Sequence, residues 1–97
     1  MFNSSPPTVE SRPLAPSRPV MILRIAATLR RRGRSRSAHY ADIKDGLFVH
    51  PIRIGLRAAG TPDYEVDALI AARIAGKSDD EIRELVLRLE AARKAAV

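Results

Sequence analysis

Arginine is the residue type whose number and spacing in this chain point most directly to chemistry. A guanidinium group is planar and charged at all physiological pH values, and it binds phosphate through two parallel hydrogen bonds. Residues 21–60 carry nine basic and two acidic residues, a net charge of +7, whereas the whole chain of 97 residues carries +6. Because charge concentrated in this way is typical of proteins that bind nucleic acid, we expect a polyanionic partner. The densest part of the segment contains Arg30, Arg31, Arg32, Arg34 and Arg36.

Other groups that could support chemistry are few. The absence of cysteine excludes disulfides, thiolate metal sites and thiol nucleophiles. His39 and His50 lie eleven residues apart with no carboxylate pattern beside them, which does not match a zinc site. The sequence contains no glycine-rich phosphate loop, no nucleophile spaced from a base, and no paired carboxylates in an apolar segment. We therefore expect no enzymatic activity, no metal and no cofactor.

The first twenty residues differ in composition from the rest of the chain. Residues 1–20 hold five of the seven prolines and few large apolar side chains, so burial cannot offset the loss of chain entropy. We predict a disordered arm here, and either Met1 or Met21 is the start of translation. No apolar run approaches the roughly 18 residues of a membrane span, and no secretory signal is visible. The sequence thus predicts a cytoplasmic, nucleoid-associated protein without a membrane partner.

The segment after this arm predicts two helices joined by a tight turn. Its apolar spacing predicts a short strand or turn, and then a helix from about Ala26 to Arg32 that Gly33 ends. Ser35 is a good N-cap for a second helix running to about Asp45. Two helices joined by about three residues have the helix-turn-helix layout.

The second helix of the pair is the one expected to meet a ligand. Arg36 lies near its N-terminal end and is the best candidate for a base contact, because its fork matches O6 and N7 of guanine. Ser35 is better suited to capping than to contact. Tyr40 and Ile43 are three residues apart, so we expect them to share one face and to pack against Leu29. We expect Tyr40 to be a core residue whose hydroxyl reaches the backbone or a phosphate.

Alternating periodicity after Gly46 predicts a small β-hairpin. Phe48, Ile52 and Ile54 form its expected buried face, and Arg57 lies near its tip. Placed after the two helices, this hairpin would be the wing of a winged helix-turn-helix.

Two further helices are predicted. Thr61 and Pro62 are typical of a helix start, so a third helix should run to about Ala75. Ser78 and Glu81 form a capping box that opens a fourth. The inward positions expected in the third helix are Val66, Leu69, Ile70 and Ile74.

The fourth helix carries an apolar stripe whose partner the sequence leaves open. It either folds back on its own domain or pairs with a second copy to form a homodimer. The expected organisation is an arm at residues 1–20, a winged helix-turn-helix at 21–76 and a C-terminal amphipathic helix at 77–97. The stripe comprises Ile82, Leu85, Val86 and Leu89.

The order of these elements resembles the AlpA family of prophage regulatory proteins, whose relatives are the excisionase-like and MerR-like winged helices. The similarity runs from about Leu23 to Ile74. The motifs that carry it, in chain order, are LRI before the first helix, Leu29, GRSRS, Tyr40, Ile43, Phe48, PIRIG, Arg57-Ala58, and Glu65-Val66-Asp67-Ala68 leading into IAARIA.

Six positions depart from the family pattern, and two of them are Ala38 and Ala41, where the family usually has Thr and Arg. His39 and Asp42 stand where the family usually has an aliphatic residue and Leu, so a carboxylate occupies a position expected to be apolar or basic. Gly60 and Leu69 stand where it commonly has an aromatic residue such as Trp. The loss of two large side chains thins the expected core.

The resemblance implies a mainly α protein with a small β-hairpin, a winged helix-turn-helix that binds double-stranded DNA sequence-specifically. It would regulate transcription in a prophage or mobile element, with its recognition helix in the major groove and its wing on the backbone or minor groove. An excisionase-like protein that bends attachment-site DNA is one alternative, and an interaction module using the fourth helix is another. The residues expected at the DNA are Arg30, Arg31, Arg32, Arg34, Ser35, Arg36, Ser37, His39, Tyr40, Lys44, Arg53 and Arg57.

Overall fold

The protein is mainly helical with a small three-stranded antiparallel sheet, in a computed structural model that describes residues 19–95. The elements are β1 Ile22–Leu23, α1 Ile25–Arg32, α2 Arg36–Lys44, β2 Ile52–Gly55, β3 Ala58–Pro62, α3 Asp63–Ile74 and α4 Asp79–Ala95. The prediction of a mainly α chain with a small β-hairpin is thereby confirmed. The predicted arm lies outside the described residues except for its last two.

Local signals end α1 and begin α2 where the sequence predicts. Gly33 has a φ of 68°, in the left-handed region, and its amide donates to the Leu29 carbonyl oxygen at 2.9 Å. The Ala38 amide donates to Ser35 Oγ at 3.2 Å, which satisfies one of the free amides of the first turn of α2. After α2, Gly46 has a φ of 79°. Glycine and serine therefore fix a tight turn between the two helices and the exit from the second.

Strand β1 adds a third strand to the predicted hairpin. The sheet order is β1-β3-β2, with both pairs antiparallel and Ile22 opposite Pro62. Gly60 lies in β3 where β1 approaches closely, since a Cβ atom there would be 2.8 Å from the carbonyl oxygen of Leu23. This approach excludes the large aromatic residue that the AlpA pattern has at the same position.

The start of α3 differs from the prediction. Thr61 and Pro62 end β3, and α3 begins at Asp63 with Pro62 as an N-cap residue whose side chain makes no capping hydrogen bond. Pairing with β1 decides the boundary, because the Asp63 amide donates to the carbonyl oxygen of Met21 at 2.8 Å. The strand partner is distant in sequence, so a local helix-start signature does not reveal it.

The apolar stripe of α4 completes the core. Three of its four residues are at most 3% exposed within the single chain, and they pack with the fully buried Phe48 and Val49. Helix α4 therefore folds back onto its own domain. The burial of this stripe within one chain gives no support to a homodimer through it, and an interaction module built on it lacks a free surface. The stripe comprises Ile82, Leu85, Val86 and Leu89.

Three residues predicted to lie inside are at the surface. Tyr40 is 51% exposed, Ile54 45% and Ile74 82%. In α2 the buried positions are instead His39 and Asp42. The inner face of this helix is polar because arginines hold both of these side chains, and Tyr40 is thereby turned outward.

An ion pair fastens the end of α4 to the start of α3. Arg93 donates to both carboxylate oxygens of Glu65, at 2.6 and 2.9 Å, and to the carbonyl oxygen of His50 at 2.7 Å. The Glu65 side chain is fully buried, while that of Arg93 is 20% exposed. Nearby, Glu90 accepts a hydrogen bond from the His50 amide at 2.8 Å. Polar contacts thus hold α4 in addition to its apolar packing.

Candidate nucleic-acid interface

Four polar side chains form a network between the end of α1 and the inner face of α2. Arg32 Nη2 donates to Asp42 Oδ2 at 2.7 Å. Arg34 donates through Nε and Nη2 to the two oxygens of Asp42, at 2.9 and 2.7 Å. Arg32 Nη1 lies 2.7 Å from His39 Nδ1. One carboxylate therefore holds two guanidinium groups, and we call this set the Asp42 network.

Burial and charge set the protonation states in the Asp42 network. The side chains of Arg32 and Asp42 are 9% and 8% exposed. Burial alone would raise the pKa of Asp42, but hydrogen bonds from Arg34 and Arg32 hold it below its ordinary value. Burial, and then the charge of Arg32, lower the pKa of His39. Since Arg32 donates to Nδ1, His39 is neutral and carries its proton on Nε2.

The Asp42 network is also attached to the hydrophobic core. The guanidinium carbon of Arg32 lies 4.1 Å from the centre of the Phe48 ring, a cation–π contact. The His39 and Phe48 ring centres are 5.0 Å apart. Arg32 and His39 therefore fix α1 against α2. Both side chains are largely buried, and their contact with DNA stays a prediction. Arg34 remains 45% exposed, although it is paired with Asp42.

The other arginines of α1 do not converge on one patch. Arg31 Nη1 donates to Asp67 Oδ1 of α3 at 2.9 Å. Arg30 is exposed, and its side chain makes no hydrogen bond or ion pair with the part of the chain that is described. Arg30, Arg31 and Arg32, all expected at the DNA, thus have different environments, since the first is exposed, the second is paired with α3 and the third is largely buried.

The outer face of α2 is polar and basic. Its exposed positions follow the helical repeat, so they lie on one side of the helix, and no acidic residue interrupts them. The side chains of Arg36 and Lys44 make no hydrogen bond or ion pair among residues 19–95. Ser35, immediately before this face, is occupied as the N-cap. We call this face the α2 stripe; it comprises Arg36, Ser37, Tyr40 and Lys44.

A groove of about 220 Å³ separates the α2 stripe from the hairpin of β2 and β3. Arg24, the N-cap residue of α1, lines this groove together with Tyr40 and Arg57. Cations from two elements that are distant in sequence therefore meet beside α2. Sequence reasoning misses Arg24 as a site residue, because its place in the groove depends on how β1 pairs with β3.

The hairpin is basic at its tip. Leu56 and Arg57 form the two-residue turn, as predicted for Arg57, and Arg53 Nη2 donates to the carbonyl oxygen of Leu56 at 3.3 Å. Residues 51–62 contain no acidic residue. The positive face therefore continues from the α2 stripe across the groove to this tip.

A larger cavity of about 540 Å³ lies between α2, α3 and the start of α4. Each arginine that lines it is engaged by a carboxylate. Arg32 and Arg34 contact Asp42, and Arg73 contacts Asp79 at 3.1 Å. Every arginine of this cavity therefore has a carboxylate partner among residues 19–95, although Arg32 and Arg34 share one.

Residues 19–95 contain no group of three or more His, Cys, Asp or Glu placed to hold a metal ion. No helix among them combines the length and the apolar character needed to cross a bilayer. Comparisons of the chain with protein-family models, curated proteins and solved structures found no match. The functional proposal therefore depends on the chemistry of the surface itself.

Proposed function

We propose that this protein binds double-stranded DNA through the α2 stripe and the β2–β3 hairpin. Helices α1 and α2 would act as a helix-turn-helix, with the N-terminal end of α2 in the major groove and the hairpin as a wing on the adjacent backbone or minor groove. One observation carries the proposal. Arg24, Arg36, Lys44 and Arg57 make no ion pair with a described residue, and they belong to the α2 stripe or to the groove and hairpin beside it.

The charge at the start of α2 supports an anionic partner. The helix dipole favours acidic side chains in a first turn, and both α3 and α4 carry them there. Helix α2 has none and begins instead with Arg36. A cation at this place reduces the stability of the helix. A phosphate or base edge that meets both the positive helix end and Arg36 would account for its presence.

The side chains of the stripe suit a duplex better than single-stranded RNA. Proteins that bind single strands stack bases on several aromatic side chains. Among the described residues Phe48 is buried, and Tyr40 is the one large aromatic side chain that is mostly exposed. An arginine fork, two hydroxyl groups and a lysine are the groups that contact phosphates and base edges in a major groove.

A more specific role follows from the resemblance of residues 23–74 to the AlpA family. We infer that the protein is a sequence-specific regulator acting on the DNA of a prophage or mobile element. Within this role Arg36 is the residue assigned to base recognition. Lys44, Arg24 and Arg57 are assigned to the phosphate backbone.

Binding to duplex DNA at several salt concentrations tests the proposal. Fluorescence anisotropy with a labelled duplex should give an affinity that falls steeply with salt, because each phosphate contact releases counterions. Replacing Arg36 and Lys44 together by alanine should lower the slope of log affinity against log salt by about 0.9 for each lost contact. Arg36→Ala alone should also relax base preference at one position in DNA fragments selected by the protein, by about 1–3 kcal/mol.

Arg73→Ala is the matched control for loss of charge. Arg73 is 46% exposed and pairs with Asp79 beside the larger cavity, away from the α2 stripe. Its replacement should leave the salt slope unchanged. If the slope of log affinity against log salt falls equally in the control and in the stripe variant, DNA is attracted by the net charge of the protein and not by this surface. Absence of salt-dependent binding by the wild type would refute the proposed function.

A further inference from the structure

A large aliphatic side chain stands at the tip of the hairpin. Leu56 is 85% exposed, and Ile54 in the adjoining strand is 45% exposed. Isolated apolar residues are common on protein surfaces. Neither Leu56 nor Arg57 has a positive φ, so the turn neither requires glycine or asparagine at its tip nor selects a leucine there. The fold therefore gives no structural reason for a leucine at this tip.

Two guanidinium groups flank the exposed leucine. Arg53 donates to its carbonyl oxygen, and Arg57 follows it directly in the chain. Arg57 also lines the groove shared with Tyr40, so the tip is continuous with the α2 stripe. An apolar tip between two cations, on a hairpin without acidic residues, is complementary to a polyanion that has an apolar interior.

We propose that Leu56 is a wedge that enters the minor groove of duplex DNA, partly unstacks one base step and bends the helix axis. This inference rests on the proposed function, since it requires the α2 stripe to hold the same duplex. Arginine is attracted to the negative potential of a narrow minor groove, and aliphatic side chains inserted between base pairs kink DNA. Arg53 and Arg57 would hold the tip at the groove, while Leu56 exchanges contact with water for contact with base faces.

Ring closure of short DNA tests the wedge without knowledge of the target sequence. A duplex of about 110 base pairs is shorter than the persistence length of DNA and closes rarely unless it is bent. With DNA ligase present, the full-length wild-type protein should increase the yield of closed rings. Leu56→Ser should abolish the increase and weaken binding by about tenfold to a hundredfold. The slope of log affinity against log salt should not change, because no phosphate contact is lost.

Two further variants separate a wedge from a general effect. Leu56→Phe keeps a large apolar group and should retain ring closure. Leu87→Ser removes a leucine that is 67% exposed on α4, and it should behave as the wild type. Circular dichroism should show all three variants folded, since both positions are largely in solvent.

The outcomes distinguish this inference from the proposed function. Wild-type protein that fails to bind the duplex refutes both. Wild-type protein that binds with a normal salt slope but forms no rings, or whose rings survive Leu56→Ser, refutes the wedge alone. Anionic lipid vesicles supply the remaining alternative. Binding to vesicles that Leu56→Ser abolishes, without ring closure, would assign the tip to a membrane surface.

Discussion

Asp42 determines which arginines of the basic segment are available for binding. Its two oxygens are occupied by Arg32 and Arg34, and the resulting ion pairs join the end of α1 to α2. Buried ion pairs contribute little net stability compared with an apolar pair, but the loss of one partner leaves an uncompensated charge. Where the AlpA pattern has Leu, this chain therefore has a carboxylate that depends on its arginines.

Asp42→Asn should consequently destabilise the protein strongly. Arg32 would remain buried without its counter-charge, which costs about 3–5 kcal/mol of the free energy of unfolding. Urea denaturation followed by circular dichroism measures the change. Asp67→Asn is the control, because the pair of Arg31 and Asp67 is exposed and contributes at most about 1 kcal/mol.

A double substitution separates loss of charge balance from loss of volume. Replacing Arg32 by methionine together with Asp42 by leucine removes both charges and keeps apolar bulk. We expect this variant to be more stable than Asp42→Asn, since an apolar pair often equals a buried ion pair. If the double variant is as unstable as Asp42→Asn, the lost free energy of unfolding does not come from the uncompensated charge of Arg32.

His39 should make stability depend on pH. Its pKa is lowered in the folded state by burial and by the charge of Arg32, so the unfolded chain takes up a proton at higher pH than the folded chain does. Its contribution to stability is therefore complete above about pH 6.5, the ordinary histidine value, and declines as the pH falls toward the lowered pKa. The loss is about 1.4 kcal/mol for each unit by which the pKa is lowered.

His39→Gln tests this dependence because glutamine offers an acceptor for Arg32 without titrating. Urea unfolding of the wild type at pH 7.5 and at 5.5 should show a decrease that the variant lacks. An equal decrease in both proteins would assign the pH dependence to another group.

At the scale of elements, α4 is held by its apolar stripe on one side and by Arg93 at its end. Arg93 joins the end of α4 to the start of α3 and to the loop before β2, since it donates to Glu65 and to the His50 carbonyl. In a domain this small, a helix of seventeen residues supplies a large part of the core. The C-terminal helix is thus structural for the binding surface, although it lies outside that surface.

Arg93→Met should loosen this helix by isolating a buried carboxylate. Glu65 is fully buried, so the loss of its partner should cost about 3–5 kcal/mol of unfolding free energy. Arg88→Met, at an exposed position of the same helix, should change it by less than about 0.5 kcal/mol. Adding Glu65→Met to Arg93→Met should recover much of the loss. Thermal unfolding of the three variants measures these differences in stability. If Arg93→Met is as stable as Arg88→Met, the ion pair does not stabilise the packing of α4.

Elements with local signals are the ones that the sequence predicts well. Gly33 and Ser35 mark the turn between α1 and α2, and Ser78 with Glu81 forms the expected capping box, with hydrogen bonds of 2.9 and 3.2 Å. Features that join distant segments are not predictable from such signals. Pairing with strand β1 places the start of α3 later than predicted. The Asp42 network joins residues of α1 and α2 and occupies the inner face of α2, so Tyr40 points outward. The residues of the α2 stripe and Arg57 are among those that the sequence proposes for the interface, whereas Arg24 joins them only through the strand pairing.

At the scale of the whole molecule, the basic residues that form ion pairs lie in different places from those that do not. The acidic residues of α3 and α4 engage Arg31, Arg73 and Arg93. The cations of the α2 stripe, the groove and the hairpin tip make no ion pair with any described residue. A net charge of +6 alone would attract any polyanion, whereas this arrangement presents the charge along one path from α2 to the hairpin.

This path predicts a footprint with two separable parts. The α2 stripe should protect the centre of a bound DNA site, and Arg57 should protect the backbone at one edge. Hydroxyl-radical footprinting of Arg57→Ala should therefore lose protection at that edge and keep the centre. Arg30→Ala removes an exposed cation of α1 that does not line the groove, so it should give the wild-type pattern. If Arg57→Ala protects the edge as fully as the wild type does, the hairpin is not part of the interface. If Arg30→Ala loses as much protection at that edge as Arg57→Ala does, binding depends on total charge and not on the position of the cations.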